Sequence, residues 1–419
     1  MYPGDDNNGA YGLSLPQANQ NNYEFYSLRR DLEGLVADGT ENEVPNITLS
    51  PIGNLIVADG NTYNTLALRF GNRNNLPNLP NIVLTGGIHA REWIAPEITY
   101  LTAEYLVKNY SRNPIGVYQT ALSNLIDNRN IYIIPMLNPA GNWYSVFSTN
   151  KNSRLWRKNR RQLPQTQDDW TNAISHEPFQ NVINSGADSV QYNVPNYTNG
   201  NYNTVSFYVH ESMIGVDCNR NFNTPAWGYE TQRDKEGRIY SGEEGLPRSQ
   251  TYFGTDRNSE TENQNLAPLL DGLCEKEVSA SIDYHSYGQL IITPSEAVVS
   301  MNYVQMGLGL QALIQLNGSQ PYVLGNGKQT TNYDAISTVQ DFMSCVYQSR
   351  AFTIELDPSL KDPGFKLPQQ NIMGVFEKNI RGALMLMAIA NSNEHHANAQ
   401  LISQFFTWNV ANRGNQLPV

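Results

Sequence analysis

The stretch TGGIHAREWIAPE, residues 85–97, places His89, Arg91 and Glu92 directly after an apolar run. Imidazole nitrogens and carboxylate oxygens are both zinc ligands, and a His-x-x-Glu pair on one turn can point at a single ion. The pair alone is weak support, because a glutamate at the start of a helix is also favoured by the helix dipole. A metal site therefore requires a further ligand elsewhere in the chain.

His285 offers that ligand, because it ends an apolar strand pattern in SIDYHSYGQ just as His89 does. Two histidines at strand ends can converge on one edge of a sheet, where α/β proteins bind their ligands. Two histidines and a glutamate leave one coordination position open for water, as a catalytic zinc requires. The remaining histidines lie in polar segments, where we expect solvated side chains: His176, His210, His395 and His396.

Three further motifs contain residue types suited to hydrolysis. Glu355, in RAFTIELDP, ends another apolar strand and could activate water, although an ordinary exposed charge is the alternative. Arg220 beside Asn219, in GVDCNRNF, is suited to bidentate capture of a carboxylate. Arg157, in RLWRKNR, could stabilise an oxyanion. A turn and a solvated basic surface are the alternatives for these two motifs.

The elements that must position these residues alternate along the chain. Strand patterns occupy residues 47–50, 66–70, 81–85, 130–134, 278–284, 289–293 and 351–356, and helical periodicity follows near residues 23–36, 94–105 and 372–387. Strands that alternate with helices predict an α/β sheet domain. We expect residues 1–20 to be a disordered lead-in, residues 21–392 the domain, residues 162–212 an elaborated surface loop, and residues 393–419 a polar tail.

The composition excludes several classes of protein. Hydrophobic residues make up 40% of the 419 and charged residues 16%, which argues against extensive disorder. The net charge of −11 argues against a nucleic-acid or anionic-membrane partner. The longest apolar stretch, residues 383–390, is too short to span a bilayer. Three cysteines exclude a dense disulfide framework and a cysteine-based zinc ribbon.

The motifs HAREW, RLWRK, D-x-NRNF, HSYGQ and TIEL, together with a tyrosine nine residues before an aromatic, resemble the zinc metallocarboxypeptidases of the carboxypeptidase A/B type. The resemblance extends over residues 20–392 in the same order. It implies a single α/β domain with a central mixed, twisted β-sheet flanked by helices. It also implies an exopeptidase that hydrolyses the C-terminal bond of peptides or proteins, with one Zn²⁺ per chain on His89, Glu92 and His285.

The resemblance implies a role for each remaining motif residue. Glu355 is the general base, Arg157 holds the oxyanion, and Asp217 is the hydrogen-bond partner of a ligating histidine. Asn219 and Arg220 grip the terminal carboxylate of the substrate. Tyr333 is the mobile tyrosine that contacts the substrate, and Arg91 contacts it at the neighbouring subsite.

Side-chain specificity is less directly indicated. The floor of the specificity pocket in this family lies seven positions after the mobile tyrosine, which here is Gln340. Gln340 is neither apolar nor acidic, but Glu296 lies where the opposite wall is expected, and a carboxylate there would favour Arg or Lys. The alternative is that Glu296 points to solvent.

The chain departs from the family in two respects. The stretch between Arg157 and Asn219 is several dozen residues longer than in the digestive enzymes, and we expect no globular pro-domain in the short segment before Tyr23. We expect a secreted monomer whose leader has been removed, with a cytoplasmic location as the alternative. Hydrolysis of cell-wall peptides or N-acyl amino acids, or peptide binding without catalysis, are the alternative functions.

Overall fold

The computed structural model of the protein describes residues 26–56, 62–148, 153–161, 189–198, 201–210, 214–224, 249–273, 278–294, 301–315, 321–333, 335–359 and 364–390. The strands are β1 (Thr48–Ile56), β2 (Thr62–Gly71), β3 (Asn81–Gly86), β4 (Asn130–Ile134), β5 (Ser189–Thr198), β6 (Asn201–His210), β7 (Val278–Gly288), β8 (Leu290–Thr293), β9 (Val323–Asn326) and β10 (Arg350–Ser359). The helices are α1 (Tyr26–Glu41), α2 (Ile94–Lys108), α3 (Gly116–Asp127), α4 (Pro139–Phe147), α5 (Thr261–Leu273), α6 (Met301–Ile314), α7 (Gly327–Thr331), α8 (Val339–Tyr347) and α9 (Ile372–Ile389).

Eight of the strands form one mixed sheet in the order β1-β2-β4-β3-β7-β10-β8-β9. The four central strands β4, β3, β7 and β10 are parallel to one another. Antiparallel pairs join β1 to β2, β2 to β4, and β8 to β10. The carboxyl ends of the central strands therefore meet at one edge of the sheet.

Helices cover both faces of the sheet, which explains the apolar run in β3. Every residue of that strand is buried, as expected for a strand with no solvated face. Leu84 belongs to a core cluster that contains Leu106 of α2, whereas its neighbour Val83 belongs to a second cluster that contains Met343 of α8. Each fully buried side chain of this kind contributes roughly 1.5–3 kcal/mol relative to exposure.

The predicted α/β class and the mixed central sheet are confirmed. The strand predicted at residues 130–134 coincides with β4, and the strand predicted at residues 351–356 lies within β10. The helix predicted after HAREW begins at Ile94. None of the helices within the described ranges is long and apolar enough to cross a membrane.

The region 162–212 differs from the expected surface loop. Strands β5 and β6 pair antiparallel there, from Ser189 with His210 to Thr198 with Asn201, and form a separate two-stranded sheet. This hairpin was not predicted, because asparagines dilute the apolar alternation of its sequence. The remainder of the long segment, the lead-in at residues 1–20 and the tail at residues 393–419 lie outside the described residues.

Glu97 is a buried carboxylate in the first turn of α2, with 3% of its surface exposed. Burial, followed by the charge of Asp31, raises the pKa of Glu97 from 4.5 to about 8. The folded protein therefore binds this proton more tightly than the unfolded chain. The contribution of this proton to the free energy of unfolding is fully present below about pH 4.5 and is lost as the pH rises through about 8.

We expect Glu97→Gln to be more stable than the wild type above neutral pH, because glutamine stays neutral without binding a proton. The difference in unfolding free energy should be on the order of 1–3 kcal/mol near pH 8 and should shrink as the pH falls. Thermal unfolding of both proteins from about pH 5 to pH 8.5 measures it. A variant that is less stable than the wild type over this whole range would contradict the raised pKa.

Candidate metal centre and active site

The central strands bring the residues singled out by the sequence to one edge of the sheet. His89 follows the end of β3, and Glu92 lies just before α2. His285 lies on β7, and Glu355 of β10 pairs with it in the parallel register. Ligand sites of open α/β sheets form at the carboxyl ends of the strands.

Gly87 allows the chain to turn out of β3 towards His89. Its φ of +68° lies in the left-handed region that favours glycine. A Cβ atom at this position would lie 2.8 Å from Met136 Sδ and 3.1 Å from the carbonyl oxygen of Pro135. The turn therefore requires glycine for both backbone and steric reasons.

His89, Glu92 and His285 form a buried group, called here the metal cluster. Nδ1 of His89 lies 2.8 Å from Glu92 Oε1, and Nδ1 of His285 lies 2.9 Å from Glu92 Oε2. The two Nδ1 atoms are 3.0 Å apart. One possible ligand atom from each of the three residues lies within 4.8 Å of the others. The structure thus brings together the three residues predicted as zinc ligands.

Carboxylates on the far side of each imidazole orient the ring. His89 Nε2 lies 3.2 Å from Oδ1 of Asp217, the residue predicted to orient a ligating histidine. His285 Nε2 lies 2.7 Å from Asp283 Oδ2, and Asp283 Oδ1 accepts a hydrogen bond from Thr85 Oγ1. A carboxylate at Nε2 favours the proton on that nitrogen and leaves the Nδ1 lone pair for a metal. Asp283 was not among the residues predicted from the sequence.

The charge state of the cluster fits a divalent cation. Burial favours the neutral form of Glu92, but the adjacent His89 and His285 outweigh it and lower the pKa of this carboxyl group. Burial and the charge of Arg157 lower the pKa of His89. Burial also opposes protonation of His285, yet Asp283 and Glu92 raise its pKa well above the ordinary value. A proton and a metal ion therefore compete for the same strongly negative site.

Glu355 and Arg157 border the metal cluster. Burial, and then the charge of Glu92, raises the pKa of Glu355 to about 8. Arg157 donates from Nε and Nη2 to Asp217 Oδ2 at 2.9 and 2.8 Å, and its Nη1 lies 3.9 Å from Glu92 Oε1. Asp217 therefore joins Arg157 to the imidazole of His89.

Asn219 and Arg220, called here the carboxylate clamp, lie beside the cluster in a short 3-10 turn, Cys218–Arg220. Asn219 Oδ1 accepts from the backbone N–H of Val339, and its Nδ2 lies 3.3 Å from His285 Nε2. Arg220 Nη2 donates to the hydroxyl oxygen of Tyr333 at 3.2 Å. The clamp and the predicted mobile tyrosine are thus in direct contact.

The structure describes two of the three residues predicted at the specificity pocket and the neighbouring subsite. Gln340 is buried on α8, directly after the residue whose amide binds Asn219. Arg91 lies with its guanidinium 4.5 Å from the ring centroid of Phe365, a contact that the sequence did not reveal. Burial lowers the pKa of Arg91 to about 10. Glu296 lies outside the described residues.

Comparison with solved structures supports the fold. A crystal structure of carboxypeptidase A from Helicoverpa armigera superposes with a TM-score of 0.59 at 20% identity, covering 90% of this chain and 74% of that one. At this identity the likeness concerns the fold alone.

Comparison of sequences identifies the family. Mouse carboxypeptidase A4 is 26% identical over 74% of this chain, and an inactive metallocarboxypeptidase ecm14 from Sclerotinia sclerotiorum is 23% identical over the same share. The aligned regions span 58% and 46% of those two relatives. The family model described as zinc carboxypeptidase, Peptidase_M14, matches residues 37–382. The chain therefore belongs to the zinc carboxypeptidase family.

Proposed function

We propose that the protein is a zinc-dependent exopeptidase that hydrolyses the C-terminal bond of peptides or proteins. The observation that carries this proposal is the position of Glu355 on the strand next to His285 of the metal cluster. Family membership supports zinc as the metal, at one ion per chain. Two histidines and a glutamate are also the zinc ligands of carboxypeptidase A. Action outside the cell as a monomer is part of the proposal and rests on the resemblance alone.

Each residue near the cluster has a defined part in the proposed reaction. Zinc held by the cluster would supply a Lewis acid for the scissile carbonyl group and would acidify water. Glu355 takes the proton from the attacking water, for which its raised pKa is suited, and passes it to the leaving amine. Arg157 donates to the carbonyl oxygen as negative charge develops there.

The carboxylate clamp accounts for cleavage at the C-terminus. Asn219 and Arg220 are both at least 95% buried, so a substrate carboxylate would meet their donors out of water. Tyr333 accepts a hydrogen bond from Arg220, which supports a role for Tyr333 in covering the bound terminus. Peptide bonds far from a free terminus cannot use these contacts.

We expect a peptide with a free C-terminal carboxylate to be hydrolysed about 10²–10³-fold faster, in kcat/KM, than the same peptide with a C-terminal amide. The reason is that an amide leaves the buried guanidinium of Arg220 without its charged partner. Matched blocked dipeptides measure the ratio, and Arg220→Ala should reduce it towards one. Equal rates on acid and amide in the wild type would instead indicate endopeptidase or amidase chemistry.

Two other functions use the same fold. Peptide binding without turnover is one, since a relative is named as an inactive metallocarboxypeptidase. Retention of the three cluster residues and Glu355 supports turnover in this chain. Hydrolysis of cell-wall peptides or N-acyl amino acids is the other, and family membership supports ordinary peptide C-termini over it. A muropeptide assayed beside blocked dipeptides separates these substrates.

The proposed preference for C-terminal Arg or Lys rests on Glu296 and Gln340. Glu296 would contribute a carboxylate to the pocket wall, and the buried amide of Gln340 would accept a hydrogen bond from the same basic group. Gln340 is 5% exposed and follows Val339, whose backbone N–H donates to Asn219 of the clamp; this neighbourhood supports a part for Gln340 in the pocket.

We expect Glu296→Ala to lower the ratio of kcat/KM for substrates ending in Arg or Lys to that for substrates ending in Phe or Leu. The reduction should be about tenfold, as for the loss of a charge-assisted hydrogen bond. Steady-state kinetics on four otherwise identical peptides give the ratio. An unchanged ratio would mean that Glu296 does not select the residue removed.

A further inference from the structure

A buried polar group lies behind the segment that bears the carboxylate clamp. It consists of Asn159, Glu260 directly before α5, and Glu262 in the first turn of that helix. Asn159 and Glu260 are each 1% exposed and Glu262 is 3% exposed. None of the three belongs to the metal cluster, and the proposed reaction uses none of them. We call these three residues the support group.

Asn159 holds one side of the segment that bears the carboxylate clamp, residues 216–221, called here the clamp segment. Its Nδ2 donates to Glu260 Oε2 at 2.7 Å and to Glu262 Oε2 at 3.0 Å, so both amide protons are bound. Its Oδ1 accepts from the backbone N–H of Val216 at 2.8 Å. Its own backbone N–H donates to the oxygen of Val216 at 3.0 Å. Val216, which directly precedes Asp217, is therefore held through both its backbone N–H and its backbone oxygen.

The start of α5 holds the same segment further along. The backbone N–H of Glu260 donates to Asn221 Oδ1 at 3.1 Å, and Asn263 Nδ2 donates to the oxygen of Cys218 at 2.9 Å. Asn219 and Arg220 lie between these two attachment points. The clamp is thus held from both ends by contacts that do not involve substrate.

Burying two adjacent carboxylates costs folding free energy, which argues that these glutamates are needed for the geometry of the clamp segment. Arg161 forms an ion pair with Glu260 at 2.8 Å. Burial, followed by the charge of Glu260, raises the pKa of Glu262 to about 7. Buried ionisable pairs contribute little net stability, and their best-attested benefit is a unique arrangement.

We propose that Asn159, Glu260 and Glu262 are positioning residues that hold the segment from Val216 to Asn221 and thereby set the carboxylate clamp. The same contacts keep Asp217 between Arg157 and His89. This inference rests on the proposed function, because the clamp is its substrate site. Residues that support a site in this way fix its geometry to within a fraction of an ångström.

Binding to a turnover-deficient protein tests the proposal without relying on turnover. In the Glu355→Gln background, calorimetry compares the affinity for one peptide as the free acid and as the amide. Glu262→Ala, added to that background, should reduce the acid-to-amide affinity ratio about tenfold. Glu262→Gln should keep most of the ratio, because its amide oxygen still accepts from Asn159. Glu97→Gln, which removes a buried carboxylate from α2, should leave the ratio unchanged.

Two further variants cover the case in which Glu262→Ala does not fold. Asn159→Ala and Asn263→Ala remove other contacts to the segment, and each should also reduce the ratio when variant and background are both saturated with zinc. An unchanged ratio in every folded alanine variant would overturn the inference. Absence of any acid preference in the Glu355→Gln background would overturn the clamp itself, and with it the proposed function and this inference.

Discussion

Glu355→Gln should retain its zinc and lose about 10²–10⁴-fold in kcat. Glutamine has nearly the size of glutamate but cannot accept a proton near neutral pH, so the substitution removes the base alone. The metal cluster consists of other residues, His89, Glu92 and His285, so the substitution should not weaken metal binding. Steady-state kinetics and elemental analysis of the same preparation measure both quantities.

The control for this substitution is Glu33→Gln, an exposed glutamate on α1 whose side chain is 58% accessible. It makes the same chemical change at an exposed position of α1, outside the metal cluster and the residues that border it, and should leave kcat unaltered. Near-normal kcat in Glu355→Gln would show that another group acts as the base. Loss of zinc along with activity would place Glu355 among the ligands instead.

Glu92→Ala should weaken zinc binding by at least about 10²-fold, more than is usual for a residue that only orients a ligand. Glu92 is the one carboxylate of the cluster and lies within 2.9 Å of Nδ1 of both His89 and His285. Its removal leaves two imidazoles near the guanidinium of Arg157 without the negative charge that balances a cation. Competition with a chromogenic chelator measures the affinity, and activity should fall in parallel.

Glu97→Gln is the matched control for Glu92→Ala, because Glu97 is also a buried glutamate and lies on the adjoining helix. It should bind zinc as tightly as the wild type. Stoichiometric zinc in the Glu92→Ala protein after dialysis would show that the metal, if any, is bound elsewhere.

The sheet and the metal cluster were predictable from the sequence because both depend on local patterns. The run NIVLT marks a strand buried on both faces, and His89, His285 and Glu355 each follow such a run. Parallel strands then place their carboxyl ends at one edge without further information. The roles of the individual residues came from the resemblance to a family, and these roles remain predictions.

Asp283 was missed although a signal for it existed. It precedes His285 by two residues on β7, so both side chains point to the same side of the strand. The hairpin of β5 and β6 also had a signal, since Asn199-Gly200 separates the paired residues Thr198 and Asn201. Asn-Gly between two strands is a strong hairpin sequence.

The support group could not be predicted, because its contacts join distant parts of the chain. Asn159 and Glu260 are 101 residues apart. Nothing in the local pattern around either residue indicates its partner, and the contact exists only once the sheet and α5 are in place. Long-range polar contacts of this kind are visible in the structure alone.

Mass spectrometry of a peptide incubated with the zinc-loaded protein tests the central claim most directly. We expect the stepwise loss of single residues from the C-terminus, with the N-terminal part intact, and a reaction about 10²–10³-fold slower when the C-terminus is an amide. Fragments cut at internal bonds, or an unchanged free-acid peptide in the presence of fully zinc-loaded protein, would contradict it.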